Sequence, residues 1–186
     1  RERLDATDMA TLSMLFSTGA LAKVRLLRLT ANRFGPAGGS ALLDGLNCGD
    51  APRLMTLSLS DCGLADEGAT ALAAALSRGA LPNLECLNIG GCQLGDAGMA
   101  ALAVPLRHRP ALKALYLHVN GIGDVGMAAL VDKLGAKEFK QLQRLTLFSN
   151  RVGEVGIAAL AAALEVASLP QLMHVEMYSN PAINAA

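Results

Sequence analysis

One period governs this chain. Six stretches begin at residues 23, 53, 83, 111, 141 and 171, with spacings of 30, 30, 28, 30 and 30. The second reads RLMTLSLSDCGLADEGATALAAAL and the fourth ALKALYLHVNGIGDVGMAALVDKL; the sixth breaks off after QLMHVEMYSN. A repeat of this length means a stack of identical supersecondary units, because one such unit cannot bury an apolar face alone. Five full units and one partial unit therefore predict a single solenoid.

Within each unit the hydrophobic period changes from two to that of a helix. Leu115 and Leu117 alternate with Ala114, Tyr116 and His118, which marks a strand. Beyond Asn120, the positions Ile122, Met127, Leu130 and Leu134 form one helical stripe. Asp66, Asp96, Asp124 and Glu154 stand at the expected helix starts, where a side-chain oxygen caps free N–H groups and suits the dipole. Pro36 takes that place in the first unit, as a first helical turn allows. Gly68, Gly98, Gly126 and Gly156 follow two residues later, where each helix is expected to press on its neighbour. Leu27, Leu57, Leu87, Leu115, Leu145 and Val175 should form one buried ladder across the strands.

The consensus LxxLxLxx(N/C)x(I/L)GDxGxxALAxAL resembles the ribonuclease-inhibitor-like class of leucine-rich repeats over residues 23–180. The resemblance implies an α/β solenoid curved like a horseshoe, with a parallel sheet on the concave face and helices on the convex face. It also implies that Asn32, Cys62, Cys92, Asn120, Asn150 and Asn180 form a ladder of side-chain bonds to the turn after each strand. Residues 1–22 then read as a partial preceding repeat and linker, with a helix over Asp5 to Thr18, and residues 181–186 as a tail. The last strand is expected over 172–178. Neither end shows a polar capping unit, so the array is expected to continue in a parent protein or to be covered by partners.

Composition sharpens the functional reading. Sixteen basic residues balance sixteen acidic ones, and the balance holds on both sides of Gln93. That argues against nucleic acid, whose binders carry a basic excess. The longest uncharged run, Met9 to Ala22, is too short for a membrane span. Cys48, Cys62, Cys86 and Cys92 form no CxxC pair, so reduced thiols in an intracellular, cytoplasmic protein are expected rather than a zinc site. Residues 121–126 spell a literal GxGxxG after a strand, but sister units hold the same frame without those glycines, so no dinucleotide or other cofactor is expected. His108 reads as a solvated loop residue; His118 and His174 lie two units apart without supporting thiolates or carboxylates. No grouping suggests nucleophilic catalysis or a metal site. Lys23, Arg25, Arg28 and Arg33 form a local basic cluster, read as a solvated edge or a contact for an acidic segment.

What varies between units is the outward strand positions. One column runs Arg28, Ser58, Asn88, Tyr116, Thr146, Glu176; the next Thr30, Ser60, Gly90, His118, Phe148, Tyr178. The chain holds six phenylalanines and tyrosines together, and Tyr116, Phe148 and Tyr178 are three of them. Rings on a water-facing sheet suit interface hot spots. The expected partner site is thus Tyr116, His118, Arg144, Phe148, His174, Glu176 and Tyr178. The rings could equally serve to cover one another. The expected function is a non-catalytic scaffold that binds a protein on its concave face. Two alternatives stand beside it. The resemblance extends to Ran GTPase-activating proteins, although no position here matches a motif specific to that activity. The other alternative is a structural subunit of a larger complex.

Overall fold

The computed structural model describes residues 3–47, 49–132, 134, 138–165 and 169–181. Helix α1 (Ala6–Ser17) comes first, followed by β1 (Leu26–Arg28), α2 (Gly35–Leu43), β2 (Thr56–Ser58), α3 (Ala65–Ser77) and β3 (Cys86–Asn88). The order continues through α4 (Asp96–Arg107), β4 (Ala114–Tyr116), α5 (Asp124–Val131), β5 (Arg144–Thr146), α6 (Glu154–Glu165) and β6 (His174–Glu176). The six strands form one parallel sheet in chain order. Consecutive helices pack side by side on one face of it.

Each unit adds one strand and one helix, and these need different widths. Paired strands lie about 4.8 Å apart, whereas packed helices need about 8–10 Å between axes. A stack of such units must bend, with the sheet on its concave side.

The repeat period sets the register. Leu27, Leu57, Leu87, Leu115, Leu145 and Val175 stand opposite one another across successive strands. Leu57, Leu87, Leu115 and Leu145 are sealed, whereas Leu27 is half-buried and Val175 is 39% exposed. The expected ladder is therefore buried only in its inner rungs. A rung needs a neighbour on each side to exclude water, and β1 and β6 are the sheet's outer strands. The next inward column, Leu59, Ile89, Leu117 and Leu147, is also closed, with Leu29 nearly so.

The strands are shorter than their apolar pattern suggests: β6 spans three residues, not 172–178. Ala31, Asp61, Gly91, Val119, Ser149 and Ser179 all have φ between 52° and 64°. This left-handed residue, three places beyond each strand, turns the chain toward the helices. Backbone bonds between units persist up to it, as from Ser149 N to Tyr178 O at 3.0 Å.

Asp5 and Asp8 close a capping box on α1, and Thr18 ends that helix. The N–H of Leu4 donates to Asn32 Oδ1 at 3.3 Å. That bond repeats the one from Val152 N to Asn180 Oδ1, so α1 stands toward β1 as α6 stands toward β6. Of the tail expected at 181–186, all but Pro181 lies outside the described residues.

Candidate functional site

The outward side chains of the sheet fall into two contrasting surfaces. On β1 to β3, apart from the exposed Arg28, they are mostly small and polar and bond among themselves. Thr30 Oγ1 lies 3.0 Å from Ser58 Oγ and accepts from Ser60 Oγ at 3.2 Å, while Asn88 Oδ1 accepts from Gly90 N at 3.0 Å. Ser58 and Ser60 are buried by these contacts.

On β4 to β6 the expected rings come together. His118 and Phe148 stack with centroids 4.7 Å apart and planes inclined by 13°; Phe148 and Tyr178 stack at 4.6 Å and 6°. Tyr116 meets His118 edge-on at 6.5 Å. The stacking distance matches the spacing of paired strands, because equivalent positions of successive units carry the rings. Gly90 makes room at the other end, since a β-carbon there would run into the imidazole of His118. The result is a column of glycine backbone, imidazole, phenyl and phenol across four strands. Stacked in this direction, the rings turn their edges away from the helices. Tyr178 is 54% exposed, whereas Tyr116, His118 and Phe148 are half-buried. Mutual covering and an open edge thus coexist in one feature.

The charged members of the expected site behave differently. Arg144 Nη1 donates to Glu176 Oε1 at 3.2 Å, so these two residues satisfy each other. His174 stands beside Arg144 in the sheet register and is exposed. His118 Nδ1 lies 3.3 Å from Thr146 Oγ1. Burial lowers its pKa, opposed by the charges of Asp61 and Glu176, so the imidazole is held neutral more firmly than in water. His108 ends α4 with its ring exposed, Nδ1 2.8 Å from Val104 O and Nε2 3.8 Å from Glu138.

Behind this surface, a polar ladder fixes the turns. Asn150 Nδ2 donates to Leu117 O and Leu147 O, each at 2.9 Å, and its Oδ1 accepts from Ile122 N at 3.2 Å. Asn120 and Asn180 repeat the arrangement one unit before and after. Cys62 and Cys92 occupy the same place in their units and donate S–H to Leu29 O at 3.0 Å and Leu59 O at 2.9 Å. A leucine-rich repeat family model matches residues 52–73, 80–103 and 110–131, three units with this ladder behind their strands. The chain folds as a leucine-rich repeat solenoid.

Solved structures resemble this chain over much of its length. Leiomodin-1 actin-binding site 2 superposes with a TM-score of 0.57 at 16% identity, over 68% of this chain and 72% of that one. A chain of the yeast Rad7–Elc1 complex matches at 0.48 and 21% identity, over 97% of this chain and 43% of that one. No curated protein matches the sequence.

The leucine-rich repeats are joined by two further devices that sequence reading missed or misplaced. The aspartates expected to cap their own helices do not: neither Asp96 nor Asp124 caps the helix it begins, and Asp66 lies inside α3, which has no side-chain cap. Each instead serves the following helix. Asp66 Oδ1 accepts from Gly95 N at 2.7 Å and Gly98 N at 2.9 Å. Asp96 does the same for Gly123 and Gly126, and Asp124 for Gly153 and Gly156. The reason is reach: the free N–H groups of the next helix start lie beside the carboxylate. A β-carbon at Gly126 would sit 2.6 Å from Asp96 Oδ1, so here the glycine is needed for the approach. At Gly68 the same atom would meet Leu64 of its own unit, because Pro36 offers no carboxylate there.

Arginines close the other helix ends. Arg78 Nη2 donates to Leu43 O, Asp44 O and Leu46 O, at the end of α2. Arg109 donates to Leu76 O and Ala80 O at the end of α3, and Arg107 to Asp132 O beyond α5. Such contacts satisfy carbonyls that a helix leaves open. An arginine closing the helical stretch of neighbouring units was the available signal.

Cys62, Cys86 and Cys92 are free thiols, and Cys48 lies outside the described residues. Burial pushes the Cys62 thiol up to about 11 and raises Cys86 and Cys92 as well, so all three stay protonated at neutral pH. Among the described residues, no three metal-binding side chains cluster, and no helix is long and apolar enough to cross a membrane.

Proposed function

We propose that this protein is a non-catalytic interaction module that holds a protein partner on the C-terminal half of its concave sheet. The observation that carries this reading is the ring column Tyr116, His118, Phe148 and Tyr178. The fold requires only that outward positions tolerate water, and the three preceding units meet that need in these two columns with Arg28 and with Ser, Thr, Asn and Gly. Three large rings in neighbouring units present a preordered apolar edge with little rotamer freedom left to lose, the property of a binding hot spot. Arg144 and Glu176, neutralised by each other, border that edge without an unpaired charge. Leiomodin-1, a structure of similar fold, is named for an actin-binding site, which supports this reading. In this reading residues 23–180 form the interacting array, preceded by the helix of an earlier unit.

The test is a pull-down with mass spectrometry comparing wild type with a Tyr116/Phe148/Tyr178 triple alanine variant. A partner retained by wild type and by Ser58→Ala, but lost from the triple variant at unchanged melting temperature, supports the site. Each single alanine should weaken binding by roughly 1–4 kcal/mol. A full complement of partners on the triple variant rules the site out.

A further inference from the structure

The first units, at and just before their strands, carry a second feature, a set of arginines without work inside the fold. Of the arginines in the described units, Arg78, Arg107 and Arg109 close helix ends and Arg144 pairs with Glu176. Arg25, Arg28 and Arg53 are exposed and form no ion pair or side-chain hydrogen bond among the described residues; Lys23 beside them is exposed and free as well. Arg25 and Arg53 line one depression of about 380 Å³, together with Pro52, Met55, Glu85 and Ala111. Glu85, the carboxylate among these residues, is turned to Lys113 at 2.9 Å. It is thus held by an ammonium rather than by either guanidinium. Arg28 stands in register with Ser58 and Asn88, above a floor of small side chains. Its charge is felt at Cys86, two strands away, where it opposes the rise that burial causes.

We propose that the Arg25, Arg28 and Arg53 surface docks an acidic peptide segment of a protein partner, with carboxylates on the guanidiniums and aliphatic carbon on Pro52 and Met55. Charge complementarity selects this occupant. Three unpaired forks suit carboxylates held two-pronged, and Pro52, Met55 and Ala111 in the lining give the segment's carbon chain a place that a bare polyanion does not use. The inference rests on reading the molecule as a protein-binding module, but on a surface separate from the ring column.

The test is fluorescence anisotropy with a short fluorescein-labelled peptide of alternating Glu and Ala, at about 20 mM salt to limit screening. Wild type should bind it, and R25Q/R28Q/R53Q should bind about tenfold or more weakly, as the loss of three exposed charge contacts predicts. The corresponding triple lysine variant should keep most of the affinity, which separates charge recognition from misfolding. Arg144→Gln and the Tyr116/Phe148/Tyr178 triple alanine variant should bind like wild type, so failure of the ring site would leave this result readable. Absence of wild-type binding overturns the proposal, as does equal binding by the triple glutamine variant. Oligothymidylate of the same formal charge binding as tightly as the peptide also overturns it, in favour of a general polyanion surface.

Discussion

The two halves of this sheet are built on one backbone plan but joined by different chemistry. Behind β4, β5 and β6, asparagines hold the turns. One amide there both donates to two carbonyls and accepts from a backbone N–H, as Asn150 does. Behind β2 and β3, Cys62 and Cys92 offer only a weak S–H donor each, and main-chain bonds replace the amide's acceptor role. Gly35 N donates to Cys62 O and Ala65 N to Cys92 O, at 3.0 and 2.9 Å. The helix starts differ accordingly. Phe34 and Leu64 precede α2 and α3 in helical conformation, whereas Gly95 and Gly123 enter α4 and α5 extended, under the preceding unit's aspartate. The outward surface changes at nearly the same place, from hydroxyls and free arginines to stacked rings. A repeat thus fixes where a residue stands, and the residue chosen there decides how units bond and what they present.

The largest expected effect comes from the ladder. Asn150→Ala takes the acceptor of Ile122 N and one of the two amide donors that Leu117 O and Leu147 O each hold, and should cost roughly 2–4 kcal/mol. Cys62→Ala removes one weak donor and a small volume, and should cost about 1–2 kcal/mol. Urea melts of the two variants check the contrast; equal losses would erase the distinction between the halves. A similar pair tests the sheet. Leu117→Ala should cost about 2–5 kcal/mol as a sealed leucine, and Tyr116→Ala much less.

A smaller effect is expected from the inter-unit aspartates. Asp96→Ala deprives Gly123 and Gly126 of their acceptor and should lower stability by about 1–2 kcal/mol, the usual worth of a helix cap. Glu67→Ala, on the exposed first turn of α3, should change little. Native-state hydrogen exchange can locate the loss. Faster exchange at the start of α5 supports capping of the next helix, and faster exchange confined to α4 contradicts it.

The smallest effect concerns His118. Its pKa is lowered in the folded state by burial, so the unfolded chain takes up a proton more readily. The stability this contributes is complete above the ordinary histidine value of about 6.5 and is lost as pH falls below it. Part of the fall in melting temperature on acidification should therefore disappear in His118→Phe, which keeps a ring in the column. An identical pH profile for the two proteins would show that the imidazole titrates freely.

Much of this architecture was readable from spacing alone. The recurrence of Leu57, Leu87, Leu115 and Leu145 every 28 or 30 residues dictates stacked strands in register, and a parallel sheet with helices behind it follows. The site residues were readable as a column for the same reason. What spacing could not show is contact between units. Asp96 lies next to its own helix in sequence but next to Gly126 in space, and the cap goes to the nearer N–H groups. Nor could it show that Phe148 would lie flat against both neighbours, which depends on the strand spacing and on the room above Gly90. Arg144 and Glu176 read as separate contacts, and the structure pairs them diagonally across β5 and β6.

The most direct test of the central claim, that a partner sits on the ring-bearing half of the sheet, is site-specific photo-crosslinking. Benzoylphenylalanine would replace Tyr178 on the sheet or Val125 on the opposite, helical side, both of which are exposed. The account predicts a crosslinked partner from position 178, competed away by unlabelled wild type but not by the Tyr116/Phe148/Tyr178 triple alanine variant, and none from position 125. Crosslinking from position 125 with none from 178 would place the partner on the helices and contradict it.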